Sequence, residues 1–94
     1  MTPSEQPSSE LKVRVLAPSS KLYEGPAVSI TATNKVGPFD ILAGHANFFS
    51  LLSSSVIVIN TGSQALQFPV SEGLLKVRSN VVTLFVNPKE VVAS

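Results

Sequence analysis

The chain contains no cysteine and no tryptophan, a single histidine and a single aspartate. The missing thiols exclude a disulfide framework and any thiolate metal site, and one imidazole leaves little from which to build another metal centre. Charged residues make up 14% of the 94 positions, against about a quarter in an average soluble domain. Net charge is +1 and the seven basic residues are scattered along the sequence, so neither nucleic acid nor anionic lipid is an expected partner. No stretch approaches the roughly 20 apolar residues of a membrane-crossing helix, and no membrane insertion is expected. Apolar residues nowhere recur at i, i+3, i+4 and i+7 over ten or more positions, which excludes a long amphipathic helix. Neither G-x-x-x-x-G-K-[ST] nor G-x-G-x-x-G occurs, so no phosphate loop is expected.

What remains is a chain of one-domain length, 44% hydrophobic, that reads as short strands divided by turn residues. Residues 1–10, rich in Ser, Pro and Glu, read as a disordered tail and lack the apolar core of a secretory signal; a cytoplasmic, soluble protein is expected. LKVRVLA from Leu11 alternates, with Leu11, Val13 and Val15 on one face. Lys21 to Glu24 reads as a short extended piece ended by Gly25-Pro26. AVSITATN then places Val28, Ile30 and Ala32 opposite Ser29, Thr31 and Thr33. Asn34 to Gly37 reads as a turn, and Phe39 to Leu42 as a brief strand leading to Ala43-Gly44-His45. Phe48 to Leu52 and Val56 to Asn60 are apolar on both faces, and Thr61-Gly62-Ser63 reads as a hairpin turn. Pro69 argues for an edge or a bulge. Glu72-Gly73 reads as a turn into LLKVR, and Ser79-Asn80 as a turn into VVTLFV, with Lys76 and Arg78 on the polar side. Short strands at this spacing specify an all-β sandwich or flattened barrel.

Two features go beyond fold. Between Lys35 and Lys76 the formally charged side chains are Asp40 and Glu72 alone. Alternation forces two of Val56, Ile57, Val58 and Ile59 away from the core unless loops cover that strand. With Phe48, Phe49, Leu51 and Leu52 these residues predict an exposed apolar patch of the kind that marks a protein interface. The second feature is Gly37 to Phe49, GPFDILAGHANFF, which holds three of the five phenylalanines, the histidine and the aspartate. Asp40, His45 and Ser50 contain the elements of a hydrolase triad, but their spacing carries no specificity and G-x-S-x-G is absent. Binding is the reading that survives, with no catalytic, cofactor or metal residues.

The runs LKVRVLAPSSKLYEGPAVSITA, VGPFDILAGHANFFSLL, VIVINTG and FPVSEGLLKVRSNVVTLFV resemble the N-terminal β-sandwich domain of the ε subunit of F-type ATP synthases, called δ in mitochondria. The resemblance covers residues 11–87 in unbroken order. Its most specific parts are G-x-x-x-I-L-x-G-H-A at Gly37 to Ala46 and S-x-G-x-L-x-V-x-x-N-x-V-T at Ser71 to Thr83. Ala43 replaces a usual Pro, and Phe39-Asp40 a common Leu-Gly.

The resemblance implies a ten-stranded sandwich in a non-catalytic rotor subunit of the F1 complex. Such a subunit fastens the γ subunit to the polar loops of the c-ring and couples proton transport to ATP synthesis. It implies c-ring contact for Pro38, Phe39 and Asp40, and γ contact for His45, Ala46, Asn47, Phe48 and Phe49. It also implies a peripheral place on the cytoplasmic face of a bacterial plasma membrane. Residues 88–94 read as a short tail without the family's C-terminal helical hairpin, so no ATP binding is expected. The alternative is a free-standing β-sandwich interaction module descended from such a domain.

Overall fold

The computed structural model describes residues 10–89; of the expected tails, 1–10 and 88–94, all but Glu10, Pro88 and Lys89 lie outside the described residues, and Pro88 ends β8. Eight strands follow one another: β1 (Leu11–Ala17), β2 (Ser20–Ala27), β3 (Ser29–Asn34), β4 (Gly37–Leu42), β5 (Phe48–Leu52), β6 (Ser55–Asn60), β7 (Ala65–Arg78) and β8 (Val81–Pro88). They hydrogen-bond in the order β2-β1-β8-β7-β6-β3-β4, with β5 also paired to β7, and the sheet does not close. All neighbours are antiparallel except β1 and β8.

The expected ten strands are therefore eight among the described residues. Two sites where the sequence suggests a break are instead continuous strand. Gly25-Pro26 lies inside β2 on the edge of the sheet, where a proline leaves no ladder bond unmade. Glu72-Gly73 lies inside the 14-residue β7. A Cβ on Gly73 would stand 3.0 Å from the carbonyl oxygen of Phe85 and 3.2 Å from Val86. The glycine is there to let two strands approach, not to turn the chain.

β7 organises the molecule. Its first half, Ala65 to Val70, pairs with β6, while Gly73 to Val77 pairs with β5 and β8. Val70 is fully buried, and Gly73 lines up with the buried Leu52 and Val86, although residues three apart in a regular strand face opposite ways. A bulge resolves this: Val70 to Glu72 spans two steps against the single step from Pro88 to Asn87. Pro69 sits just before it. The Pro69 carbonyl accepts from Lys89 N at 2.9 Å, so its ring nitrogen, directed to the same side, falls outside the β6 ladder.

The inward rows can be read across the strands. Val13, Val82 and Val77 lie in line, as do Val15, Leu84 and Leu75. On the other side of the bulge, Ile41, Ile30, Ile59 and Leu66 form a row. These rows share one core of aliphatic side chains, with no polar or charged residue in the buried class among the described residues. Tyr23 of β2 meets Phe68 of β7 across it, ring centroids 6.5 Å apart. Leu11, Val13 and Val15 are buried as their alternation predicts. Val28 is not: it occupies the bend between β2 and β3, its amide bonded to Asn60 O, and Ala27 takes the buried position instead.

Candidate interaction surface

The stretch from Gly37 to Phe49 spans β4, a five-residue loop and the start of β5. In β4, alternation buries Ile41 and half-buries Phe39 while Pro38, Asp40 and Leu42 face solvent. Asp40 accepts a hydrogen bond from the Thr31 hydroxyl at 2.6 Å on the neighbouring strand.

The loop 43–47 is held from the opposite end of the chain. Gly44 adopts φ 84°, a backbone region that other residues enter at a cost. Its amide donates to Asn80 Oδ1 at 2.7 Å, and the Ser79 amide donates to Asn47 Oδ1 at 3.3 Å. Each asparagine thus satisfies a backbone amide of the other's turn. Ser79 and Asn80 have φ 50° and 64°, the two left-handed residues of a tight hairpin between β7 and β8. The loop also closes on itself through His45 N to Leu42 O at 3.1 Å.

His45 Nδ1 donates to the Ala46 carbonyl at 2.7 Å, and its ring stands edge-on to Phe48, centroids 5.5 Å apart. Phe48 in turn stands edge-on to Phe39 at 5.6 Å. The three rings form a ladder resting on the core. Asp40, His45 and Ser50 do not form a relay. Ser50 Oγ bonds to Asn34 and to the Leu51 carbonyl, so each of the three has a separate partner.

The eight sequence-predicted contact residues consequently occupy four places. Phe39, His45 and Phe48 are brought together although the resemblance divides them between two partners. Pro38 and Asp40 lie on the outer face of β4. Phe49 points away from Phe48 and is 62% exposed, opposite Lys76 on β7. Ala46 and Asn47 are exposed in the loop between them.

The apolar patch divides in the same manner. Ile57, Ile59 and Leu52 are core, and Phe48 is half-buried. Val56 and Val58 belong to the outer face of β4-β3-β6 and the first half of β7, beside Thr31, Thr33, Gln67 and Pro69. Phe49 and Leu51 belong to the outer face of β2-β1-β8, the second half of β7 and β5. That second face also carries Phe85 and Leu74, which the sequence reading did not single out. Their signal was present: a two-residue turn at Ser79-Asn80 sets Arg78 opposite Val81 and hence Leu74 opposite Phe85. Basic residues scattered in sequence gather there too, with Lys12 and Arg14 on β1 and Lys76 and Arg78 on β7, either side of β8.

The chain is thus a small all-β domain with aromatic and aliphatic side chains exposed on its sheet faces. The chain matches the sequence model of the family described as ATP synthase, Delta/Epsilon chain, beta-sandwich domain over residues 10–91, and it belongs to that family. It is 32% identical over 80 residues to an ATP synthase epsilon chain from Cyanothece and 34% identical over 80 residues to one from Synechococcus elongatus. These alignments take in 85% of this chain and 58% of each relative. Its fold is similar to a chain in the mitochondrial ATP synthase OSCP/F1/c-ring of Euglena gracilis, with TM-score 0.81 at 17% identity over 88% of this chain and 54% of that one. A chain of the central stalk and c-ring of the Tetrahymena thermophila enzyme gives TM-score 0.70 at 18% identity, over 82% and 63% respectively.

Proposed function

We propose that this chain is the β-sandwich part of an epsilon subunit. In this role it is a non-catalytic member of the central stalk that fastens the γ subunit to the polar loops of the c-ring. It thereby couples proton transport to ATP synthesis from the cytoplasmic face of a bacterial membrane. The observation that carries this reading is the likeness to two epsilon chains along 80 of its 94 residues. The geometry supports it with a tethered loop between two strands and exposed apolar side chains on either side.

Within this reading the residues divide by exposure. Ala46, Asn47 and Phe49 meet γ directly, while His45 and Phe48 set the loop's shape from beneath. Pro38 and Asp40 meet the c-ring loops, and Phe39 supports them from the core side. The test is co-purification of the chain with γ and with assembled c-ring. Co-elution with both is expected. Asp40→Lys should release the ring and spare γ, and Phe49→Glu should do the reverse. A folded chain that binds neither would overturn the assignment.

A further inference from the structure

Asn80 is bonded through both its main chain and its side chain. Its carbonyl accepts from Lys12 N at 2.8 Å, which fixes the β7-β8 hairpin to β1, and its side-chain oxygen accepts from Gly44 N at 2.7 Å, 36 residues away. Ser79 N donates to Asn47 Oδ1 at 3.3 Å, so the loop at 43–47 is gripped near its start and again at its end. Both grips sit on a hairpin whose own shape is fixed, with Ser79 and Asn80 left-handed between the paired residues Arg78 and Val81. β1, the loop and the hairpin, distant in sequence, therefore meet at one residue.

The tether does not answer a buried polar group. Gly44 is exposed, and water would satisfy its amide nearly as well as the asparagine does. What the bond adds is a fixed course for the loop. Gly44 stands at φ 84° with nothing within 4 Å of where a Cβ would lie, so this glycine answers a backbone angle and not a close neighbour. Ala46 and Asn47 are exposed as well, and a segment with so little packing samples many shapes unless it is pinned.

Resting on the γ reading above, we infer that Asn80 is a positioning residue for the γ contact: it touches nothing of γ and holds the loop in the shape that γ receives. A pinned loop docks without first being ordered, whereas a loop that is correctly shaped only part of the time binds more weakly by that fraction. The fraction acts on association. Dissociation is set by the contacts of Ala46, Asn47 and Phe49, which the tether leaves unchanged. The identity of the residue follows from a double demand, since asparagine, aspartate and glycine enter φ 64° readily but only the first two carry an acceptor oxygen.

Binding of the 94-residue chain to immobilised γ, with association and dissociation rates resolved, tests this. Asn80→Gly keeps the turn and removes the acceptor. It should slow association about fivefold, leave dissociation within about twofold, and speed amide exchange at 44–47. Asn80→Asp restores the acceptor and should bring association back to within about twofold of the parent. Asn60→Ala removes a side-chain bond of the same kind in another turn, from Gly62 N at 2.9 Å, and should alter neither rate. The melting midpoint is read on all three variants. An association rate that follows the midpoint instead of the acceptor overturns the inference, and so does a change confined to dissociation. If the unsubstituted chain does not bind γ, the γ reading falls and takes this role with it. If the parent binds and Asn80→Gly associates at the parent rate, the positioning role alone falls.

Discussion

The two outer faces of this domain share a core and a strand, yet they present different chemistry. One, on β4-β3-β6 and the first half of β7, shows Val56, Val58, Pro69 and a row of hydroxyls, with Asp40 as its formal charge. The other, on β2-β1-β8, the second half of β7 and β5, alternates rows of cations with a row of Leu and Phe. Because strand alternation commits only every second residue to the core, the outward positions can vary at a smaller cost in stability than the buried ones. The two faces therefore differ in chemistry while resting on the same core.

The sharpest break between core and face comes within one strand. Ile57→Glu places a carboxylate in a fully buried position and should abolish cooperative unfolding, a cost above about 4 kcal/mol. Circular dichroism on heating reads this directly. Val56→Glu, one residue away and 44% exposed, should leave the transition within a few degrees of the parent.

Next in size is the joint where the chain passes from β4 of one face to β5 of the other. Asn80→Val forces a β-branched residue into φ 64° and removes the acceptor for Gly44 N, at about 1–3 kcal/mol. The melting midpoint should fall by several degrees. Asn80→Gly keeps the turn and loses only the tether, so most of the stability should return while the amides of 43–47 exchange faster.

Binding separates the faces themselves. Phe49→Glu and Val56→Glu both leave the fold intact, and in a γ pull-down the substitution on the docking face should cost about tenfold or more in affinity, about 1.4 kcal/mol. If γ lies beside His45 and Phe49, the first fails and the second binds normally. The opposite result moves the γ contact to the face on β4-β3-β6.

The smallest effect concerns the charge balance of the cationic face. The hydrogen bond and charge of Lys21, aided by Arg14 and Lys12, hold the Glu24 carboxyl below the usual carboxylate range. A lowered native pKa stabilises the fold at pH values above the unfolded pKa, and that contribution disappears as pH falls through the native value. Glu24→Gln should therefore shift the urea midpoint slightly at pH 7 and not at pH 2. Exposure of this pair keeps the difference small.

Much of this was legible before the structure. LKVRVLA and VVTLFV announce their buried faces by alternation, and Ser79-Asn80 announces its hairpin. The exposed apolar patch was legible as a surplus, since Val56 to Ile59 cannot all face inward. Its division between two faces was not, because that depends on β7 changing partners at Ser71. Glycine misled twice: Gly25 and Gly73 read as turns, yet they admit Tyr23 and the β8 backbone at close range. The aromatic ladder was hidden for a related reason. Phe39 and Phe48 lie nine residues apart on separate strands, and only the tethered loop brings them to 5.6 Å.

β7 has one consequence of a mechanical kind. A single backbone passes from one group of strands to the other, so a load applied at Phe49 or Phe85 reaches β6 along covalent bonds as well as through side-chain packing. The hydrogen bonds flanking β7 lie across that path and would be strained together in shear, the stiffest way to load a sheet. A part fixed at two places and turned would hold its shape best with such a spine, and the bulge at Ser71 marks the point where it would first yield.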